Sequence, residues 1–401
     1  MTDFAVRPLA ESEFREAHTT MRIALHGDPL TDELWQSIVP NLRPGRYFGA
    51  VADGTVLGTA YVYDSSIAVP GGAVVPMGAL TRVGVRADHK RRGILTELMR
   101  TQLADARERG QIIGGLIASE SRIYGRFGYG TGTYGRTVRL RDAVVRPDVP
   151  YSGHMRFVGK DEAKGLLPTL YERIGLHRPG MMGRPVDWWP FAQRTLRQGS
   201  LLAVHSGPAG DDGYVVYSVS SSDQYDDQPN ARAVITVQDM HAADAGVQND
   251  IWRFLIEVDL VREVRAQHRP VDEPVELTLA DPRACKTLEV GDHLWLRLVD
   301  TLAALRARTY GDAEPVAVAV NDKFLPVNSG TYVVSRDGVV RADRAADLTL
   351  NTEELAMIYL GTTRPSALAA AGRAEACSQS VLTRADKLFA SDQIAWCGTG
   401  F

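Results

Sequence analysis

Apolar and polar positions change rhythm several times along the first third of the chain. Tyr47-Phe48-Gly49-Ala50-Val51 and Val56-Leu57-Gly58-Thr59-Ala60-Tyr61-Val62 flank Ala52-Asp53-Gly54-Thr55, which predicts a β-hairpin. Val83-Gly84-Val85 closes a further short strand at a polar turn. Ile94, Leu95, Leu98, Met99, Leu103 and Ala106 then recur at helical spacing, so an amphipathic helix presents one apolar face to a core. Gly110 is placed to stop that helix. Ile112 to Ala118 is apolar or glycine throughout and reads as a buried strand.

Between the strand and the helix stands Lys90-Arg91-Arg92-Gly93. The first turn of a helix carries N–H groups without helical partners, and its dipole favours negative charge. Three cations strengthen that field, and a glycine lets backbone approach a phosphate closely. The loop therefore predicts an anion site. It is not a nucleotide loop ending in Gly-Lys-Ser/Thr, nor a Gly-x-Gly-x-x-Gly fingerprint. The order hairpin, strand, basic glycine loop, helix, strand resembles the core of the GNAT acetyltransferases. That resemblance implies acetyl-CoA as co-substrate. Arg91, Arg92, Gly93, Ile94 and Leu95, with Lys90 beside them, would hold its pyrophosphate. Backbone at Val83, Gly84, Val85 and Ser119 would line its pantetheine arm.

The remaining chain divides into two further blocks. Arg146-Pro147-Asp148-Val149-Pro150 is a polar, proline-bearing link, which predicts a first domain over 1–146. A second block, 147–299, repeats the α/β pattern. A helix is expected over Lys160 to Ile174 and strands at Leu201–Val204, Tyr214–Tyr217 and Ala233–Val237. A helix beginning at Ile251 and strands at Val275–Leu279 and Leu294–Leu298 complete the block. No Lys or Arg precedes its glycine between Val237 and Ile251, so this second copy is expected to be degenerate and to bind no coenzyme. The third block, 300–401, alternates like strands at Ala317–Val320, Gly330–Val334 and Leu348–Leu350. A helix-capping signal at Thr352, an alanine-rich helix over Ser366 to Ala376 and one helical turn at Ala385–Phe389 follow. The fold class is thus α/β (α+β), with two related domains and a small α+β domain.

Composition narrows the function. The chain has 401 residues, 44% hydrophobic and 23% charged, as in ordinary globular protein. A net charge of −4 argues against a general nucleic-acid binder. No apolar run reaches membrane-spanning length, and the opening residues show no signal-peptide pattern. The three cysteines, Cys285, Cys377 and Cys397, are scattered and odd in number, without a Cys-x-x-Cys pair. A cytoplasmic protein without metal, nucleic-acid or membrane partners is expected.

Acyl transfer from a thioester needs little equipment: an oriented amine, a group to take its proton, and an acid for the leaving thiolate. After the Ile112–Ala118 strand the chain reads Glu120-Ser121-Arg122-Ile123-Tyr124-Gly125-Arg126-Phe127-Gly128-Tyr129-Gly130. By position Tyr124 suits the general acid, whereas Phe127 and Tyr129 read as packing residues. Along nearly its whole length the chain resembles the Eis (enhanced intracellular survival) family. The shared segments include Ile123–Gly130, Lys90–Leu95, Leu294–Leu298, Leu348–Leu350, Tyr359-Leu360-Gly361, Phe389–Asp392 and an aromatic last residue, Phe401.

The resemblance implies an active GNAT domain, a degenerate one and a sterol-carrier-like domain, assembled as a homo-hexamer that acetylates amines, aminoglycosides among them. It also gives Tyr124 the general-acid role and the carboxylate of Phe401 the general-base role. A main-chain carboxylate titrates near pH ~3.5 and is ionised at neutral pH. Two departures bear on the acceptor. Gly400 stands where the aminoglycoside-modifying relatives carry an acid, and the region from Met21 to Asp28 is less aromatic than theirs. Asp28, Trp35 and Trp188 are the expected acceptor-pocket residues. Protein lysine acetylation, or a lipid or small-ligand carrier acting through the third domain, are the competing readings.

Overall fold

The computed structural model describes residues 3–190, 199–220 and 233–401. Its strands form three sheets. The first sheet runs, edge to edge, Ala5–Pro8, Tyr47–Ala52, Thr55–Ala68, Val74–Val85, Ile113–Ile117, Leu294–Leu298 and Gly130–Thr131. The second runs Cys285–Asp292, Tyr134–Arg141, Val261–Arg269, Ala233–Ala242, Gly210–Ser220, Leu201–Gly207 and His154–Phe157. The third runs Gly338–Arg341, Gly330–Ser335, Val316–Asn321, Leu348–Asn351 and Ala374–Ala376.

The first two sheets exchange strands. Tyr134–Arg141 leaves the first block and lies between Cys285–Asp292 and Val261–Arg269 of the second sheet. Leu294–Leu298 returns to the first sheet, antiparallel to Ile113–Ile117 and to Gly130–Thr131. A cut at 146 therefore divides both of these sheets, whereas a cut at 299 leaves all their strands on one side and the whole third sheet on the other. The proline-bearing link marks a loop, and a loop need not be a domain boundary.

Locally encoded elements form where the pattern places them. Tyr47–Ala52 and Thr55–Ala68 pair through the Asp53-Gly54 turn, both residues having positive φ. The helix Ile94–Glu108 buries Ile94, Leu98, Met99, Leu103 and Ala106 on one face. It ends in a Schellman motif: the Gly110 N–H donates to Arg107 O and the Gln111 N–H to Ala106 O, with Gly110 at φ +71°.

Three expected elements differ. Val275–Thr278 is a 3-10 turn after Pro274, not a strand; Val275 and Leu279 are buried while Leu277 is exposed. The helix expected from Ile251 spans Ala245–Ile256, because Asp244 caps it a turn and a half earlier. The alanine-rich helix stops at Ala370. Gly372 turns the chain at φ +69°, and Ala374–Ala376 pairs with Leu348–Leu350 instead. The final turn is a full helix, Gln379–Phe389, capped by Ser378.

One large apolar core joins all three blocks. Phe14, Trp35, Tyr47 and Tyr61 of the first share it with Leu170, Tyr171 and Trp188 of the second and with Val318, Leu355 and Phe389 of the third. A separate cluster under the Ile94–Glu108 helix contains Leu98, Tyr124, Phe127 and Tyr129. Among the described residues no helix is long and apolar enough to cross a membrane.

Candidate functional site

The first sheet opens at its centre. Val74–Val85 and Ile113–Ile117 run parallel, but their pairing ends at Leu80 opposite Leu116. The longer strand continues to Val85, paired only on its other edge, with Thr55–Ala68. A bulge lies just beyond the parting: Thr59 stands opposite Gly84 and Tyr61 opposite Thr81, so Arg82 and Val83 together face Ala60. Arg82 takes φ +51° there, and the Thr59 hydroxyl donates to its carbonyl at 2.8 Å. Gly84 is required for packing, since a Cβ would stand 3.0 Å from Ala24 Cβ and 3.2 Å from Met21 Cα.

The anion loop follows at once. Arg91 (φ +64°) and Gly93 (φ +85°) both take left-handed backbone, and Gly93 serves as N-cap of Ile94–Glu108 with no side chain capping the helix. The space around Gly93 is open. Lys90, Arg91, Arg92 and Gly93 are exposed, Ile94 is buried and Leu95 half-buried. The loop's own acid, Asp88, is occupied by Arg86 at 2.7 Å and His89 at 2.9 Å, leaving the three cations free of it. The matching helix of the second sheet differs. Asp244 Oδ1 accepts the Val247 N–H at 3.0 Å, so a carboxylate already fills that helix start.

On the far side of the opening, Ser119 is exposed and Tyr124 is buried at 5% exposure. Burial raises the Tyr124 phenol above its usual value, against a smaller pull from Ser119, and so keeps it protonated at neutral pH. The glycines around Tyr124 are docking points for the third domain. A Cβ on Gly125 would meet the Glu353 carboxylate at 2.8 Å, on Gly130 the Glu353 carbonyl at 2.2 Å, and on Gly128 Thr352 at 2.5 Å and Arg297 at 2.9 Å. Arg297, fully buried, pairs with Asp322 at 2.6 Å and donates to the Thr352 hydroxyl at 2.6 Å. That pair fastens a strand of the first sheet to the third block.

The C-terminal tail crosses back from the third block. Trp396 N–H donates to Pro179 O at 2.9 Å and its indole to His268 O at 2.6 Å. Buried Arg184 then grips the end: it donates to Thr399 Oγ1 at 2.9 Å while paired with Asp239 at 2.7 Å, and it lies over the rings of Tyr171 and Trp188. Trp188 Nε1 donates to Gly400 O at 2.9 Å. Its neighbour Asp187 accepts from Tyr61 OH at 3.3 Å and pairs with Arg43 at 3.2 Å. The Arg82 guanidinium lies 4.6 Å over the Tyr61 ring. A chain of contacts thus runs from the last residues to the strand bulge, and Phe401 packs on the same core.

The acceptor-pocket residues are placed unevenly. Trp35 is buried with its ring 6.1 Å from that of His18, Trp188 is buried over the tail, and Asp28 is exposed, its carbonyl bonded by Arg22. Arg82, Arg184 and Arg297 escaped the sequence reading. Their partners lie tens to hundreds of residues away, and no local pattern marks them.

Residues 5–132 and 180–298 each match an acetyltransferase (GNAT) domain family, and residues 301–398 a sterol carrier protein domain family. An uncharacterized N-acetyltransferase of Streptomyces avermitilis is 35% identical over 92% of each chain. N-acetyltransferase Eis of Mycobacterium bovis is 32% identical over 91% of this chain and 90% of its own. The crystal structure of Eis1 from Mycobacterium abscessus superposes at TM-score 0.90 and 34% identity, over 99% of this chain and all of that one.

Proposed function

Because this chain belongs to the Eis family of GNAT N-acetyltransferases, we propose that it moves acetyl from acetyl-CoA to the amine of a small molecule. The observation that carries the coenzyme reading is the helix start at Gly93, uncapped by any side chain and ringed by Lys90, Arg91 and Arg92. The pyrophosphate would sit there, held by backbone N–H groups through Leu95. The pantetheine arm would run along the backbone of Val83, Gly84 and Val85 toward Ser119. The second GNAT domain, with Asp244 in the corresponding place, would bind none.

Direct transfer then needs two proton steps. The Phe401 carboxylate draws the cationic amine and takes its proton, directly or through water. The amine nitrogen attacks the thioester carbonyl, the C–S bond breaks, and Tyr124 protonates the departing thiolate. The position of Tyr124 across the opening supports the second step; its phenol is protonated at neutral pH, as a general acid must be, and burial raises it further, so the acid is a weak one. The Arg184 and Trp188 clamp supports the first, since an unheld terminus would fray. Aminoglycosides are one acceptor class; Gly400 lightens the negative charge that would hold such polycations. By family likeness the working unit is a homo-hexamer in the cytoplasm, where the free thiols of Cys285, Cys377 and Cys397 would persist.

The test is calorimetric titration with acetyl-CoA, followed by a coenzyme-release screen over an amine library. One coenzyme bound per chain and release with at least one amine are expected. No binding at millimolar coenzyme would end the enzyme reading.

A further inference from the structure

We propose that Arg82 selects acceptors carrying an anionic group beside the amine, an amino-acid-like zwitterion being the simplest case. The proposal rests on the acetyl-transfer reading above and names the acceptor class for that site. Arg82 occupies the bulge next to Val83, on the strand segment past the parting of the sheet, where one edge is open and the other pairs with Thr55–Ala68. Its guanidinium lies 4.6 Å over Tyr61 and 5.6 Å over Tyr63, and Nη2 donates to Tyr63 OH at 3.3 Å. Nη1 is buried with no partner. Among the described residues Arg82 makes no ion pair, although its side chain is only partly exposed.

The protein therefore holds a cation in strained, left-handed backbone, over an aromatic bed, with one donor unused. A buried unsatisfied donor is costly, and so is an unpaired charge taken from water. Tyr47, Tyr61 and Tyr63 stack edge to face beneath it, with centroids 5.5 and 5.1 Å apart, so the side chain has little freedom to swing away. Tyr61 OH also donates to Asp187 at 3.3 Å, and the next residue, Trp188, holds the Gly400 carbonyl at 2.9 Å, so the aromatic bed under Arg82 is linked to the docked tail. An acceptor lying there meets opposite charges at two points: the terminal carboxylate for its amine and Arg82 for its acid. A purely cationic acceptor would leave Nη1 unpaired and meet like charge, which is discrimination by repulsion as well as attraction.

Acceptors in matched pairs test this: lysine against cadaverine for a carboxylate, and phosphoethanolamine against ethanolamine for a phosphate. Coenzyme release is followed under kcat/KM conditions, with acetyl-CoA binding measured separately. In the wild type at least one acid-bearing amine is expected to exceed its purely cationic twin by about tenfold, the worth of one charge-assisted hydrogen bond. Arg82→Gln should bring that ratio near one, and Arg82→Lys should restore part of it. Amine turnover with both purely cationic twins equal or better overturns the proposal, as does an unchanged ratio in Arg82→Gln. Coenzyme binding without release from any amine would instead sink the acetyl-transfer reading, and this inference with it.

Discussion

Replacing Trp188 by Phe isolates one link in the placement of the C-terminus. The indole N–H donates to the Gly400 carbonyl at 2.9 Å, one residue before the terminal carboxylate. Phenylalanine keeps an aromatic ring against Trp189, 5.1 Å away, and under Arg184, 4.4 Å away. What is lost is a single neutral hydrogen bond to an otherwise exposed carbonyl, worth about 1 kcal/mol net. If the terminus must be docked for catalysis, its docking equilibrium constant falls about fivefold, since 1.4 kcal/mol is tenfold, and kcat falls with the docked fraction by up to that factor. The bond is remote from the loop at Gly93, so acetyl-CoA affinity should be unchanged. Arg184 is the wrong residue for this purpose. Removing it strands Asp239, its buried partner, at about 3–5 kcal/mol, and a folding defect would mask the positional effect. The assay is steady-state coenzyme release with a saturating amine, alongside calorimetric coenzyme binding. Wild-type kcat in Trp188→Phe, with Tm unchanged, would refute the claim that this contact holds the terminus in place.

Other outcomes follow from the same geometry. Tyr124→Phe should lower kcat about a hundredfold or more with acetyl-CoA affinity within twofold, read by the same two assays. Gly93→Asp places like charge at the helix start, so acetyl-CoA binding should weaken at least about tenfold, while the left-handed backbone there (φ +85°) lowers the melting temperature by a few degrees; Gly93→Asn, with the same strain and no charge, should keep more of the coenzyme affinity. Acidification should destabilise the fold between about pH 6.5 and 4. Burial depresses His241 and His293 to about 4, so the unfolded chain takes up protons first as pH falls from 6.5, and the loss levels off near 4. Thermal melts across that range should show a smaller fall in His293→Asn than in the wild type.

Much of the fold was legible because it is local. The Asp53-Gly54 hairpin, the helix over Ile94–Glu108 and its stop at Gly110 are each written within a dozen or so residues. The start of that helix at Gly93, behind Lys90-Arg91-Arg92, was legible for the same reason. The strand exchange was not. Tyr134–Arg141 and Leu294–Leu298 are ordinary alternating strands, and only pairing partners more than 100 residues away decide which sheet receives them. The helix expected over Ser366 to Ala376 fails because Ala374–Ala376 completes a sheet edge, a tertiary gain that outweighs alanine's helix preference. The glycines of Tyr124–Gly130 carry no local sign of their role: Gly125 and Gly130 allow close approach to Glu353, which lies more than 200 residues away in sequence. At the site, the sequence pointed to Tyr124 and the loop but not to what holds the tail. Arg184, Thr399 and the Asp239/His241 pair of one strand converge from three separate segments.

The central claim is that the acceptor's proton is taken by the last carboxylate of the chain. Extending the protein by three alanines beyond Phe401 moves that carboxylate by up to about 10 Å and leaves an amide in its place. Steady-state kinetics and acetyl-CoA titration of the extended protein test the claim directly. The account predicts unchanged coenzyme affinity and a kcat lowered about a hundredfold; a kcat equal to that of the unextended chain would contradict it.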